Sequence, residues 1–224
     1  MQGLSDPARR HRLFPFLAFM LVLVVRSLLP EQTEGGIDLR WLYALQVGLA
    51  AALLALWWRE FTELAAQPGV RDAALSVAVG VGVWWLWIRL DEPWMRFGAP
   101  DNAFNPVGPG GEVLWALIAV RWLGATLVVP LMEELFWRSL LMRWIEDHDF
   151  MKVDPKRVGA RAIVLSTFVF TLAHTEWLAA ALAGLAYALL YRYTGKLWTA
   201  VLAHAVTNGV LGLWVIVWGH WGYW

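Results

Sequence analysis

From Leu39 to Trp58 the chain runs for twenty residues with a single charge, Arg40, and six other apolar runs recur along its length, divided by short polar segments. In lipid a chain must satisfy its own backbone hydrogen bonds, so a run of about 18 or more apolar residues reads as a spanning helix. The runs lie at 13–29, 39–58, 73–90, 112–145, 161–174, 178–192 and 197–219. They predict an all-α, polytopic integral membrane helix bundle of about seven transmembrane helices, eight if a re-entrant segment is present. Residues 1–224 then form a single membrane domain, with no repeat or low-complexity tract to divide it. Composition agrees: 59% of residues are hydrophobic and 16% charged, against roughly 25% charged in ordinary soluble domains. Eighteen basic and eighteen acidic side chains cancel, which leaves no global field to attract nucleic acid. The absence of cysteine excludes disulfides, thiolate nucleophiles and thiolate metal sites.

Charge placement sets the expected orientation. Arg9, Arg10 and Arg12 precede the first run, and the region of Ser27–Pro30 offers no small-x-small cleavage site, so that run is read as a retained span. A short acidic loop, Glu31 to Asp38, leads to the second. Assigning loops alternately puts Arg9, Arg10, Arg12, Arg59, Arg71, Arg143, Lys152, Lys156, Arg157, Arg161, Arg192 and Lys196 on one side, and Arg40, Arg89 and Arg96 on the other. Twelve against three predicts a cytoplasmic N-terminus and an outer C-terminus. Several of the seventeen tryptophans, among them Trp41, Trp57, Trp58, Trp94, Trp198, Trp218 and Trp221, fall near span ends as interfacial anchors do. In the third run Ala78, Gly80 and Gly82 offer small side chains for close helix approach.

Ionisable groups inside such runs are costly and mark candidate sites. The stretch Val128–Arg143 holds two adjacent carboxylates and an arginine in otherwise apolar sequence. Its parent run of 34 residues is ~50 Å long against a ~30 Å hydrocarbon core, and Pro130 is the expected break, beginning a new helical segment. Glu134 and Arg138 are spaced i,i+4 and share a face, whereas Glu133 is turned by about 100°. Phe170 and His174 share a face, as do His204 and Asn208. Counted from Arg143, Arg161 and Lys196, these groups fall at roughly 12–20 Å from the basic boundary, which predicts one site near the cytoplasmic side. Each pair also has a plainer reading, as a structural ion pair, a satisfied helix-end histidine and an interhelical hydrogen bond. Arg121, nine residues into the fourth run, matches none of these pairs and calls for a partner such as Asp91 or Glu92.

A carboxylate beside an imidazole can activate water, and a histidine with an asparagine can donate to an oxyanion; together they suggest amide hydrolysis. The same Glu, His and His set could instead ligate a metal. H-E-x-x-H and G-x-S-x-G are absent, and no paired intramembrane aspartates are evident.

Glu133-Glu134-x-x-x-Arg138, Phe170-x-x-x-His174 and His204-x-x-x-Asn208, in that order on successive helices, resemble the three motifs of the CAAX-protease and bacteriocin-processing family of intramembrane glutamic endopeptidases. The resemblance covers roughly residues 112–219, while residues 1–111 contribute hydrophobic spans. Glu176-Trp177, Gly184, the stretch Tyr191–Trp198 and the closing Trp221–Trp224 are similar to the branch associated with bacterial exosortase systems. The resemblance implies an integral protein of a bacterial inner (plasma) membrane. It also implies Glu133 as base, His174 as its partner, His204 and Asn208 as oxyanion donors, and Glu134 and Arg138 as orienting groups, with no metal or other cofactor. The implied partner is a membrane-associated protein or peptide substrate. Two readings of other classes remain beside it: a membrane-bound binding or chaperone protein that retains the motifs, and an ion-coupled transporter using the same buried groups.

Overall fold

The computed structural model describes residues 6–29, 38–97 and 104–224, and in it the chain is an all-α bundle built on seven long helices. They are α1 (Pro7–Ser27), α2 (Leu42–Leu56), α3 (Val70–Trp87), α4 (Trp115–Glu146), α5 (Ala160–Leu172), α6 (Trp177–Thr194) and α7 (Leu197–Trp218). The stretches of α2, α3, α4 and α7 are long and apolar enough to cross a membrane. Most of the acidic loop read at 31–38, and part of the loop read at 91–111, lie outside the described residues.

Local chemistry fixes the helix ends. Asp6 caps α1 by accepting from Ala8 N–H at 3.0 Å, and Pro7 fills the first turn, where its missing donor is harmless. The helices α6 and α7 stop at Gly195 and Gly219, both at positive φ (71° and 68°), where a Cβ would be strained. The first helix begins earlier than the apolar pattern predicts, at Pro7 rather than Leu13, because Arg12 is an interior residue. Its guanidinium grips the Glu63 carboxylate with two hydrogen bonds, 2.7 Å from Nε to Oε1 and 2.5 Å from Nη2 to Oε2. Ser139 donates to the same carboxylate, and Arg143 stands 3.8 Å from it. All four are buried, so this cluster locks α1 and the 57–69 turn onto α4.

Contacts between loops define two ends of the bundle. At the basic end Arg9 donates to the carbonyl of His148, Lys196 pairs with Asp72 at 2.7 Å, and Trp198 donates to the carbonyl of Leu64. At the opposite end Arg40 donates to the carbonyls of Asn105 and Val107, Phe104 N–H to Trp224, and Phe97 N–H to Thr175. Asp91 pairs there with Arg96 and accepts from Tyr223. Asp91 is thus engaged away from Arg121, whose guanidinium lies over the rings of Phe104, Tyr43 and Trp224 at 4.7, 4.9 and 5.9 Å. The carboxylate expected for it is replaced by aromatic faces, which attract a cation while remaining compatible with an apolar interior.

The tightest helix pair is α3 against α7, and among the small residues of α3 the close approach falls at Gly80. A Cβ there would collide with the Ala203 carbonyl and with Val206, whereas Gly82 faces open space and Ala78 is exposed. The Thr207 hydroxyl locks the crossing: it accepts from Tyr187 at 2.7 Å and lies 2.9 Å from the Gly80 carbonyl, which it can reach as donor.

Candidate active site

In α4 the anticipated break at Pro130 is absent. The helix runs on from Trp115 to Glu146 by widening its turns at Gly124–Val128 and again at Leu135–Met142, both wound as π-helix. Val129 N–H bonds the Gly124 carbonyl five residues back. The next donor in that register would be Pro130, which has none, so the Ala125 carbonyl loses its backbone partner. Asn208 of α7 supplies one, with Nδ2 at 2.9 Å from the Ala125 oxygen. A proline that was expected to end the helix therefore creates an acceptor that docks a site residue.

Glu134 is fully buried and lies between two bases. Its Oε2 is 3.1 Å from Arg138 Nε, and its Oε1 is 2.9 Å from His204 Nδ1. Arg138 also donates to the Gly184 carbonyl at 3.1 Å and lies over the rings of Phe170 (4.6 Å) and Tyr187 (5.5 Å). The imidazole of His204 stacks on Tyr187 with centroids 5.0 Å apart. The two basic groups of this buried cluster are thus packed against aromatic faces, and Glu134 lies between them, as charges removed from water require partners, although Glu134 Oε2 and Arg138 Nη1 have no hydrogen bond.

Glu133, one residue earlier, turns into a cavity of about 160 Å³ lined also by Trp87, Phe170, His174, His204, Thr207 and Asn208, among others. Its Oε2 is buried without a protein hydrogen bond. His174 stands just beyond the end of α5 rather than within it, its ring 4.3 Å from that of Phe170. Its Nδ1 is 2.8 Å from the Phe170 carbonyl. A carbonyl can only accept, so Nδ1 carries a proton and Nε2 of the neutral ring is left with a lone pair. The chain thereby brings Glu133, His174, His204, Asn208 and Phe170 to one cavity, with Glu134 and Arg138 directly behind it. Among the described residues no three His, Asp or Glu side chains converge as a cluster that could hold a metal ion.

The depth count placed the site toward the basic end, and one of its three markers changes. Arg143, taken as a boundary marker, is buried with Ser139 and Glu63, and α4 continues past it to Glu146. His174 and Trp87 come at the far ends of α5 and α3, beside the 91–97 segment.

Fold and site define an integral membrane protein of several helices that holds a cavity lined by a carboxylate, two imidazoles and an amide among aromatic and apolar side chains. Residues 115–210 match the family described as type II CAAX prenyl endopeptidase Rce1-like, and that segment contains Glu133, Glu134, Arg138, Phe170, His174, His204 and Asn208. Over that segment, which is less than half of the chain, the protein is similar to type II CAAX prenyl endopeptidases. Comparison with curated proteins and with solved structures gave no match.

Proposed function

We propose that the chain cleaves a peptide bond of a membrane-associated protein or peptide by water activated between Glu133 and His174, without a metal. The supporting observation is the contrast between adjacent carboxylates. Glu134 is ion-paired with Arg138 and bonded to His204, while Glu133 has no ion-pair partner among the described residues and faces the cavity beside a histidine whose Nδ1 is turned to the Phe170 carbonyl. In this reading Glu133 takes a proton from water as its oxygen attacks the carbonyl carbon, and His174 relays a proton to the departing amine. The developing oxyanion is held by the second N–H of Asn208, whose first N–H is fixed on the Ala125 carbonyl, with His204 lining the same cavity.

The test is the substitution Glu133→Gln, assayed on a membrane-anchored reporter whose termini are read by mass spectrometry. A loss of at least ~10²-fold is expected for removal of a general base, with folding intact. Retained cleavage by the variant would sink the assignment of Glu133, and complementation of a deletion strain by a variant that no longer cleaves would point instead to a binding or chaperone role. Uptake of an ion into proteoliposomes would point to transport.

A further inference from the structure

Exposure around the cavity is not uniform, and it changes in one direction. On α3 Val83 is buried and Trp87, one turn further, is half-buried; from α5 onward Phe170 is buried and His174 is half-buried; on α7 His204 is buried and Asn208 is half-buried. On α4 the sense is the same although the helix runs the other way: Arg138 is buried, while Glu133 and Val129 are half-buried. In each helix the more accessible residue is the one farther from the basic loops. Toward those loops Arg138, Ser139, Tyr191, Leu197 and Ala200 are all buried. Away from them lies an aromatic rim on the 91–97 segment. Its Trp94 and Phe97 pack on Trp177, with centroids 6.4 and 6.2 Å away, and it is tied to the His174 turn through Phe97 N–H to Thr175 and Trp177 Nε1 to Trp94. Trp94 and Phe97 are themselves exposed, as aromatics at a bilayer–water boundary are.

We propose that the cavity is entered from the extracytoplasmic side of the membrane, and that its substrate is the outward-facing juxtamembrane segment of an anchored polypeptide. The orientation comes from the basic residues of the loops at the basic end, ten of the twelve once the buried Arg12 and Arg143 are set aside, a bias that places that end in the cytoplasm. The substrate class rests on the peptidase reading above. An exported chain still held by its anchor presents its juxtamembrane residues at the level of the Trp94–Phe97–Trp177 rim, one short turn from His174.

The chain lacks cysteine, so single-cysteine variants give an unambiguous readout of side. Thr175→Cys and Trp94→Cys mark the open end, and Arg157→Cys, whose side chain is 88% exposed in the native protein, marks the basic end. In right-side-out vesicles a membrane-impermeant maleimide is expected to label the first two before lysis and the third only after it. Labelling of Arg157→Cys in sealed vesicles, or protection of both Thr175→Cys and Trp94→Cys until lysis, overturns the proposal. A second arm offers two anchored reporters, one with its candidate segment outside and one inside. Cutting of the outer reporter alone, abolished by Glu133→Gln, is expected, and cutting of the inner one alone overturns the substrate assignment. If neither is cut while labelling shows the open end outside, the peptidase reading fails and the orientation of the cavity stands.

Discussion

His204 Nδ1 lies 2.9 Å from Oε1 of Glu134, 70 positions away in sequence, and the other oxygen of that carboxylate faces Arg138. This single buried anion holds together two helices and two bases, whereas its neighbour Glu133 holds nothing. The two carboxylates should therefore separate by phenotype. Glu134→Gln strands Arg138 in an apolar interior, a change that costs about 3–5 kcal/mol when one member of a buried pair is removed. A lowered thermal midpoint in detergent is the expected result. Glu133→Gln relieves a half-buried charge that has no protein ion pair, so its midpoint should equal or exceed that of the parent while cleavage is lost. Equal destabilisation by both substitutions would contradict the division.

Pro130 and Asn208 are linked through the carbonyl of Ala125. Replacing Pro130 by Ala restores a backbone donor that competes for this oxygen, and the amide of Asn208 is then released from its fixed position. We expect Asn208→Ala to lower kcat by ~10²–10³-fold, the range for loss of one oxyanion donor, and Pro130→Ala to lower it less. Combined, the two should cost no more than Asn208→Ala alone, because they act through the same hydrogen bond. A double-mutant cycle on kcat reads this directly, and strict additivity would break the link.

The Arg12–Glu63–Ser139–Arg143 cluster makes a prediction about acid. Burial works to raise the Glu63 carboxyl, yet the hydrogen bonds and charge of Arg12, with the Ser139 hydroxyl, outweigh it and hold the group below its ordinary value of 4.5. A carboxyl with a lowered native pKa stabilises the fold above its unfolded value and loses that contribution as pH falls through the native one. The stability difference between the parent and Glu63→Gln should thus be full at neutral pH, at about 3 kcal/mol or more, and shrink below pH 4.5. Thermal melts of both proteins from pH 7 to pH 3 measure it.

Much of this arrangement is legible in the sequence because it is local. Seven apolar runs became seven helices, and the i,i+4 spacing of Glu134 and Arg138 placed them within reach, since one turn of helix fixes that relation. What the sequence concealed depends on partners far away. Arg12 resembles an interfacial basic residue until Glu63, 51 positions on, is brought against it; the only local sign is that Glu63 sits between Phe61 and Leu64 in a turn otherwise rich in charge. Arg121 finds aromatic rings from three separate segments, which no spacing rule connects. Pro130 failed as a helix breaker because the turn before it widened by one residue, and a π register has no sequence signature. His174, four residues after Phe170, stands at a helix end, and its Nδ1 contact to the Phe170 carbonyl belongs to that end rather than to a helix face.

Gly184 carries the last prediction, because it joins the packing of α5 and α6 to the site itself. A Cβ at this position would stand 2.9 Å from Phe170 Cδ1 and 3.2 Å from Thr167 Cγ2, closer than ordinary contact, while the Gly184 carbonyl accepts from Arg138. Gly184→Ala must therefore displace the Phe170 ring or part α6 from α5. Overpacking of this size costs about 1–3 kcal/mol. The ring cannot yield without consequence, since it stacks beneath Arg138 and against His174. Activity should fall by more than the loss of stability explains, with kcat reduced in protein that is still folded. Shrinking the neighbour by Phe170→Leu in the same chain should return much of the thermal midpoint, yet leave kcat low, because the face that steadies His174 and Arg138 is then missing. Recovery of both together would mean that Phe170 only fills space.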